Sequence, residues 1–195
     1  MLNLLLVMTA AAQTYGSWNL EVATDPISAV TECRISTVMD GGEHHLSLVV
    51  GRTDNFGMMR SSAFIASDHV FAGTYGNGAL FTFVRWRGEG GPAESMELET
   101  HNYRTAEFRD PSPIVSTLWH SSEAIAFEAR LHLQGAVSLN LPVDGFRAAF
   151  DAMREACPRS SNPISIAPAQ PAPATSIGSP KPVDSTEQDR PLPGK

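Results

Sequence analysis

Apolar and polar residues alternate with a period of two along most of this chain, and few folds are compatible with that pattern. The clearest stretch runs from Ile125 to Leu133, where every second residue is apolar and Glu128, Arg130 and His132 lie between them. Since successive side chains of a strand point to opposite faces, each such stretch predicts a strand with one buried face. The stretches recur about every ten residues, with turn-forming segments between them, and this favours a two-layer antiparallel β-sandwich.

One stretch is apolar on both faces. Leu80, Val84 and Trp86 alternate there with Phe81 and Phe83. Apolar residues on both faces are typical of a strand that is covered on both sides. We therefore expect this strand at the centre of the sandwich.

A different period follows the last strand. Apolar residues take the i, i+3, i+4 and i+7 spacing of an amphipathic helix at Phe146, Ala149, Phe150 and Met153. Asp144 is expected to cap the first turn, and Pro158 to end the helix. The predicted fold class is therefore mainly β, a two-layer antiparallel β-sandwich with one C-terminal amphipathic helix.

The two cysteines, Cys33 and Cys157, lie 124 positions apart. Cys33 shares a strand face with Ile35, and Cys157 continues the apolar stripe of the predicted helix, so both are expected to face the core. An even number of cysteines in an exported chain favours a disulfide. We expect a Cys33–Cys157 bridge, and two free buried thiols are the alternative.

Both ends of the chain differ from the domain between them. Residues 1–12 are an apolar run that ends in Ala10-Ala11-Ala12, the small-residue pattern that precedes signal peptidase cleavage, although no Lys or Arg precedes the run. The run is shorter than the roughly 20 residues that span a bilayer. We expect a signal peptide at 1–12, a β-rich domain at 13–157 and no stable membrane insertion after cleavage. A buried first strand or helix is the alternative for residues 1–12.

Residues 158–195 form a proline-rich tail. They hold nine of the fourteen prolines and no aromatic residue. Such a segment buries too little apolar surface to offset its ordering entropy, so we expect disorder. The run Pro168-Ala169-Gln170-Pro171-Ala172-Pro173 is typical of polyproline II. The tail is either a spacer or a short polyproline ligand.

Charge and motif spacing exclude several function classes. The whole chain carries −7 and the tail +1, which leaves the domain at −8, a poor match for nucleic acid. His44 and His45 are adjacent on a predicted strand and point to opposite faces, so they cannot share one metal ion. The other four histidines are isolated, and no Gly-x-Ser-x-Gly motif is present. We expect no catalytic residues, no metal site and no cofactor, although a triad assembled from loops stays open.

Carboxylates and a basic–aromatic triplet are the remaining candidates. Glu94, Glu97 and Glu99 follow one predicted strand, where a glycosidase pair or a solvated face would give the same pattern. Arg85, Trp86 and Arg87 form a candidate interface, because Trp and Arg are both favoured in protein interfaces. The alternative for the triplet is a core tryptophan between two solvated arginines.

The two ends of the domain resemble those of small exported proteins of Gram-negative bacteria. Trp18, Asp25-Pro26 and Cys33 resemble their opening, and a strand and Gly-Phe helix start at 139–150, followed by Cys157, resemble their ending. The groups concerned are the invasion-associated locus B proteins and the TagO/VasI accessory proteins of type VI secretion. The present chain has no further cysteine close after Trp18, where the first group implies one. The resemblance implies a periplasmic envelope protein and no catalytic residues.

These observations together predict a non-enzymatic periplasmic or secreted accessory protein that binds another envelope protein. Two alternatives stay open. One is a small exported hydrolase whose active site is assembled from loops, and the other is a ligand-binding β-sandwich.

Overall fold

The structure, a computed structural model, describes residues 11–25, 30–39, 42–53, 59–76 and 79–157. The expected tail at 158–195 lies outside these ranges, as does most of the expected signal peptide. The expected cleavage point, between Ala12 and Gln13, falls inside the first strand. Cleavage there would leave three residues of that strand paired with the second.

Eleven strands and two helices make up the described residues. The first strands are β1 (Ala11–Tyr15), β2 (Trp18–Thr24), β3 (Thr31–Val38), β4 (His44–Thr53), β5 (Met59–Ser67) and β6 (Thr74–Gly76). The later elements are β7 (Ala79–Arg87), β8 (Glu94–Thr100), β9 (Thr105–Phe108), α1 (Ser112–His120), β10 (Ile125–Leu131), β11 (Gly135–Leu141) and α2 (Phe146–Ala156). Among these residues, neither helix has the length and apolar composition that crossing a bilayer requires.

All the strands belong to one antiparallel sheet, in the order β1-β2-β3-β4-β5-β9-β8-β7-β10-β11, with β6 added beside β7. The strands join into one sheet because β9 pairs with β5 on one side and β8 on the other. The predicted mainly β class is thereby confirmed, as is the C-terminal helix. In β10, Ile125, Phe127, Ala129 and Leu131 are buried, as the alternation predicts. The prediction is wrong for Leu133, the last residue of the stretch, because the strand ends at Leu131 and Leu133 lies 94% exposed in the turn that follows.

The sheet coils around one core, so that its first and last strands approach each other. Trp18 Nε1, at the start of β2, donates to the backbone oxygen of Pro142 after β11, at 3.1 Å. The Ser17 amide donates to the Asp144 oxygen at 3.1 Å. Helix α2 lies beside this junction, with the Phe146 ring 4.9 Å from the Trp18 ring. Within the described residues, the beginning and the end of the domain therefore pack against each other without pairing as strands.

The disulfide reinforces the same junction. Cys33 and Cys157 are bonded, with their Cα atoms 6.2 Å apart, which confirms the predicted pairing. Cys33 is fully buried in β3 and Cys157 is 8% exposed at the end of α2. The alternative of two free thiols is wrong. The bridge therefore ties α2 to the sheet at the point where the helix ends.

The predicted cap of α2 is wrong. Gly145, not Asp144, occupies the cap position, and no side chain caps the helix. Gly145 has φ = +80°, and a Cβ there would lie 1.9 Å from the Tyr15 oxygen. A glycine is required because the β1–β2 turn passes too close for any side chain and the backbone is left-handed.

Helix α1 was not predicted, since Asp110-Pro111-Ser112-Pro113 is typical of a chain break. Proline is well tolerated in the first turn of a helix, where the missing N–H has no intrahelical partner. The helix buries Ile114, Val115 and Leu118 in the core. Pro113 therefore lies at the start of a helix rather than in a loop.

Candidate functional site

Strand β7 presents two chemically different faces. Its inner face consists of Leu80, Thr82, Val84 and Trp86, all buried. Its outer face carries Phe81, Phe83, Arg85 and Arg87. The prediction that β7 is covered on both sides is therefore wrong, because one apolar face lies against the core and the other lies on the surface of the molecule.

Trp86 belongs to the core. Its side chain is 2% exposed, its ring lies 6.1 Å from that of Phe108, and its Nε1 donates to Thr117 Oγ1 in α1 at 3.1 Å. Trp86 therefore cannot contact a partner, and its place in the candidate interface has to be corrected. The alternative interpretation, a core tryptophan between two solvated arginines, describes the structure.

Phe83 is the aromatic residue that the outer face leaves accessible. It is 51% exposed and lies opposite Glu97 of β8. Its neighbour Phe81 is more covered, since the guanidinium of Arg109 lies 5.3 Å from the Phe81 ring centre. Exposing half of a phenylalanine ring leaves apolar area in water, so contact with another surface would be favourable.

Arg85 and Arg87 continue the same face. We call Phe83, Arg85 and Arg87 the β7 surface. Within the described residues neither arginine forms an ion pair, although Glu128 of β10 lies opposite Arg85 in the register. Both guanidinium groups keep their planar donor sets available for a carboxylate or phosphate.

Two shallow hollows meet at Arg87. The first, of about 220 Å³, runs between Arg85 and Arg87 over small side chains of β10 and β11, Ala126 and Ser138. The second, of about 420 Å³, extends from Arg87 along the glycine-rich turn after β7 towards Glu123. These hollows have room for side chains of a partner whose carboxylate pairs with one of the two arginines.

The histidine pair separates as predicted. His44 is buried, at 3% exposure, whereas His45 is exposed. Burial lowers the pKa of His44, and its Nδ1 has no hydrogen-bond partner in the described structure. The centre of the His69 ring lies 6.3 Å from that of His44, and His69 Nε2 is hydrogen-bonded to Glu43 Oε2 at 2.9 Å. In the described ranges no three His, Cys, Asp or Glu side chains are grouped as a metal site.

A nucleophilic site would require a histidine ring placed between a serine hydroxyl and a carboxylate. Ser116 Oγ lies 3.5 Å from His120 Nδ1, which is closer to the backbone oxygen of Ser116, at 2.8 Å. His69 and His101 pair with carboxylates instead. His69 reaches Ser67 Oγ only through its backbone N–H, at 3.0 Å. In the described part of the chain, no histidine ring hydrogen-bonds both a serine hydroxyl and a carboxylate.

The three glutamates of β8 lie on two different faces of the strand. Glu94 accepts a hydrogen bond from Thr117 Oγ1 at 3.2 Å, on the side of α1. Glu97 and Glu99 lie on the outer face, opposite Phe83 and Phe81. The three glutamates predicted along one strand therefore do not converge on a common point.

Comparison with known proteins gives one informative result. No protein-family model matches the sequence, and no curated protein matches it significantly. The fold is similar to that of invasion associated protein B from Bartonella henselae. The TM-score is 0.50 at 14% sequence identity, over 74% of this chain and 95% of the Bartonella chain. At this identity the likeness concerns the fold, and at that level it confirms the resemblance to invasion-associated locus B proteins.

Sequence reasoning missed Phe83 because it assigned both apolar faces of β7 to the core. One signal could have located it. Phe83 has the same parity as Arg85 and Arg87, and two arginines on one face of a strand indicate that this face is solvated.

Proposed function

We propose that this chain is an exported, non-enzymatic accessory protein that binds another envelope protein through the β7 surface. The observation that carries the proposal is the placement of half-exposed Phe83 beside two arginines that have no ion pair in the described structure. Aromatic residues and arginine are enriched in interface centres, where burial of a ring and pairing of a guanidinium supply most of the binding energy. The arginines favour a partner that presents carboxylates.

The proposed location is the periplasm or the extracellular medium. A disulfide between distant residues persists in oxidising compartments, whereas cytosolic thiols are kept reduced. The apolar residues 1–12 and the fold likeness to an invasion-associated protein agree with export. A reporter enzyme that is active only outside the cytoplasm, fused after Cys157, should be active, and the mature chain should begin at Gln13. An inactive reporter would contradict export.

Photo-crosslinking tests the binding surface directly. A photoreactive phenylalanine analogue is placed at Phe83 in the full chain, in its native cell envelope. The control carries the same analogue at Leu133, which is 94% exposed in the β10–β11 turn. We expect one discrete crosslinked protein from position 83 and none from position 133. The same products from both positions would indicate collision rather than docking and would refute the assignment.

Affinity for the crosslinked partner then measures the contribution of each group. Phe83→Ala should weaken binding about 30-fold, the effect of losing an interface centre worth about 2 kcal/mol. The double variant Arg85→Ala/Arg87→Ala should weaken binding and also flatten its dependence on salt. Leu133→Ala should bind like the wild type. Unchanged affinity of Phe83→Ala would exclude the β7 surface.

A further inference from the structure

A hollow of about 470 Å³, larger than the two beside Arg87, lies on the outer face of the sheet across β3, β4, β5 and β9. Its lining combines the apolar side chains of Val49, Phe64 and Ala66 with polar side chains that include Arg34 and His101. We call it the β5 hollow. A mixed apolar and polar lining on an outward-facing sheet indicates a place for a ligand with both characters.

The wall of the β5 hollow contains a pair of rings. The Phe64 and His101 rings lie 6.3 Å apart at 53° to each other. Glu107 Oε2 lies 2.6 Å from His101 Nε2, which holds the imidazole in place. Tilted aromatic rings beside polar donors are the type of surface on which proline-rich segments dock, because a polyproline II helix is already extended and presents its rings and carbonyls outward.

A proline-rich segment begins on the other face of the strand that borders this hollow. The disulfide holds Cys157 against Cys33, and the residues on either side of Cys33, Glu32 and Arg34, line the hollow. Cys157 Sγ also lies 3.7 Å from the oxygen of Thr31, at the beginning of β3. The described domain therefore ends at Cys157, on the inner face of the strand whose outer face borders the hollow.

The tail is long enough to reach the ring pair. Pro168 follows Cys157 by eleven residues, which span about 34 Å in an extended polyproline conformation. Crossing from β3 to β9 takes three strand spacings, or about 14 Å, and the register places Thr105 five residues, or about 17 Å, farther along the strands than Cys33, so the diagonal is about 22 Å. Rounding the sheet takes about 10 Å more, so Pro168 just reaches the ring pair and Pro171 and Pro173 arrive with slack.

We propose that the segment Pro168–Pro173 docks in the β5 hollow of the same molecule. Its prolines pack against the Phe64 and His101 rings, which lie in contact with each other. Arg34, which also pairs with Glu32 at 3.3 Å, and the side-chain amide of Asn102 donate to its carbonyl groups. Attachment through the disulfide gives the segment a millimolar effective concentration, so even weak contacts keep it docked for much of the time. The tail then covers one surface of the domain and leaves the β7 surface open.

Amide chemical shifts of the full, oxidised chain test this. The test variant carries Pro168→Gly, Pro171→Gly and Pro173→Gly. The matched control changes three prolines farther along the tail, Pro180, Pro182 and Pro191, in the same way. We expect the amides of the β5 hollow, such as those of Phe64 and Thr105, to shift in the test variant and to remain unchanged in the control. Identical hollow amides in the wild type and the test variant would overturn the proposal.

A synthetic peptide of residues 165–176 provides a second measurement. Added to the test variant, it should return the hollow amides towards their wild-type positions, with saturation in the millimolar range. His101→Ala, an exposed change that removes one ring, should weaken the peptide about three- to tenfold. Shifts centred on Phe83 instead, or equal affinity with and without the His101 ring, would reject the β5 hollow as the docking site.

Discussion

Breaking the Cys33–Cys157 bond should remove a large part of the stability of the domain. The bond closes a loop of 124 positions, so in the chain-entropy model it destabilises the unfolded chain by about 5 kcal/mol. Measured values usually fall short of the model, and we expect about 3–5 kcal/mol. A domain of this size has a total free energy of unfolding of about 5–15 kcal/mol, so the loss is substantial.

Urea denaturation followed by tryptophan fluorescence measures this loss. Oxidised wild type is compared with wild type reduced by a thiol, which keeps both sulfur atoms in the core and changes only the cross-link. With an m value of about 2 kcal/mol/M, the midpoint should fall by about 2 M. The double variant Cys33→Ala/Cys157→Ala should fall slightly further, because both side chains are buried and their contacts are lost.

A difference below about 1 kcal/mol between the oxidised and reduced proteins would refute the reasoning. It would mean that the contacts of α2 with β2 and β3 already restrict the unfolded chain, or that the native state relaxes without the bond. In either case the two ends of the domain would be held together by packing alone.

Three further changes test the core and the turn beside α2. Acidification should destabilise the domain below about pH 6.5, because burial lowers the pKa of His44 and the unfolded chain therefore binds that proton more tightly than the folded domain does. The free energy of unfolding is highest above this pH and decreases as the pH falls. His44→Phe should flatten this part of the profile of urea midpoint against pH, and an unchanged profile would contradict the assignment. Gly145→Ala should cost about 2–4 kcal/mol, measured as a lower Tm, because φ is +80° and the new methyl group would meet the Tyr15 oxygen; an unchanged Tm would contradict the close approach. Trp86→Phe should cost about 1–3 kcal/mol through the lost bond to Thr117 and leave the affinity for the crosslinked partner unchanged, whereas weaker binding at unchanged stability would restore Trp86 to the interface.

Local periodicity was sufficient to predict which side chains are buried in elements where burial depends only on the direction of side chains along one backbone. In β10 the alternation determines which side chains are buried, because successive strand residues must point to opposite faces. In α2 the stripe that includes Phe146 and Met153 lies in the core because residues three or four positions apart share one face of a helix. With Cys33 and Cys157 each assigned inward by its own element, their pairing could also be predicted.

Some of the turn chemistry could not be predicted in this way. Asp144 was expected to cap α2, but its own oxygen bonds the Ser17 amide and Gly145 takes the cap position. A residue more than 120 positions away in sequence decides this, through the close passage of the β1–β2 turn. No local pattern contains that information.

The sequence by itself determined that the chain is mainly β, where its closing helix lies and which cysteines are bonded, because each of these follows from the direction of side chains along one element. Only the tertiary structure decided which apolar faces are covered. Phe83 and Trp86 are both aromatic residues of the same strand, yet α1 and Phe108 cover the tryptophan and leave the phenylalanine half-exposed. Burial is a property of the segments that pack against a face, and these come from distant parts of the chain.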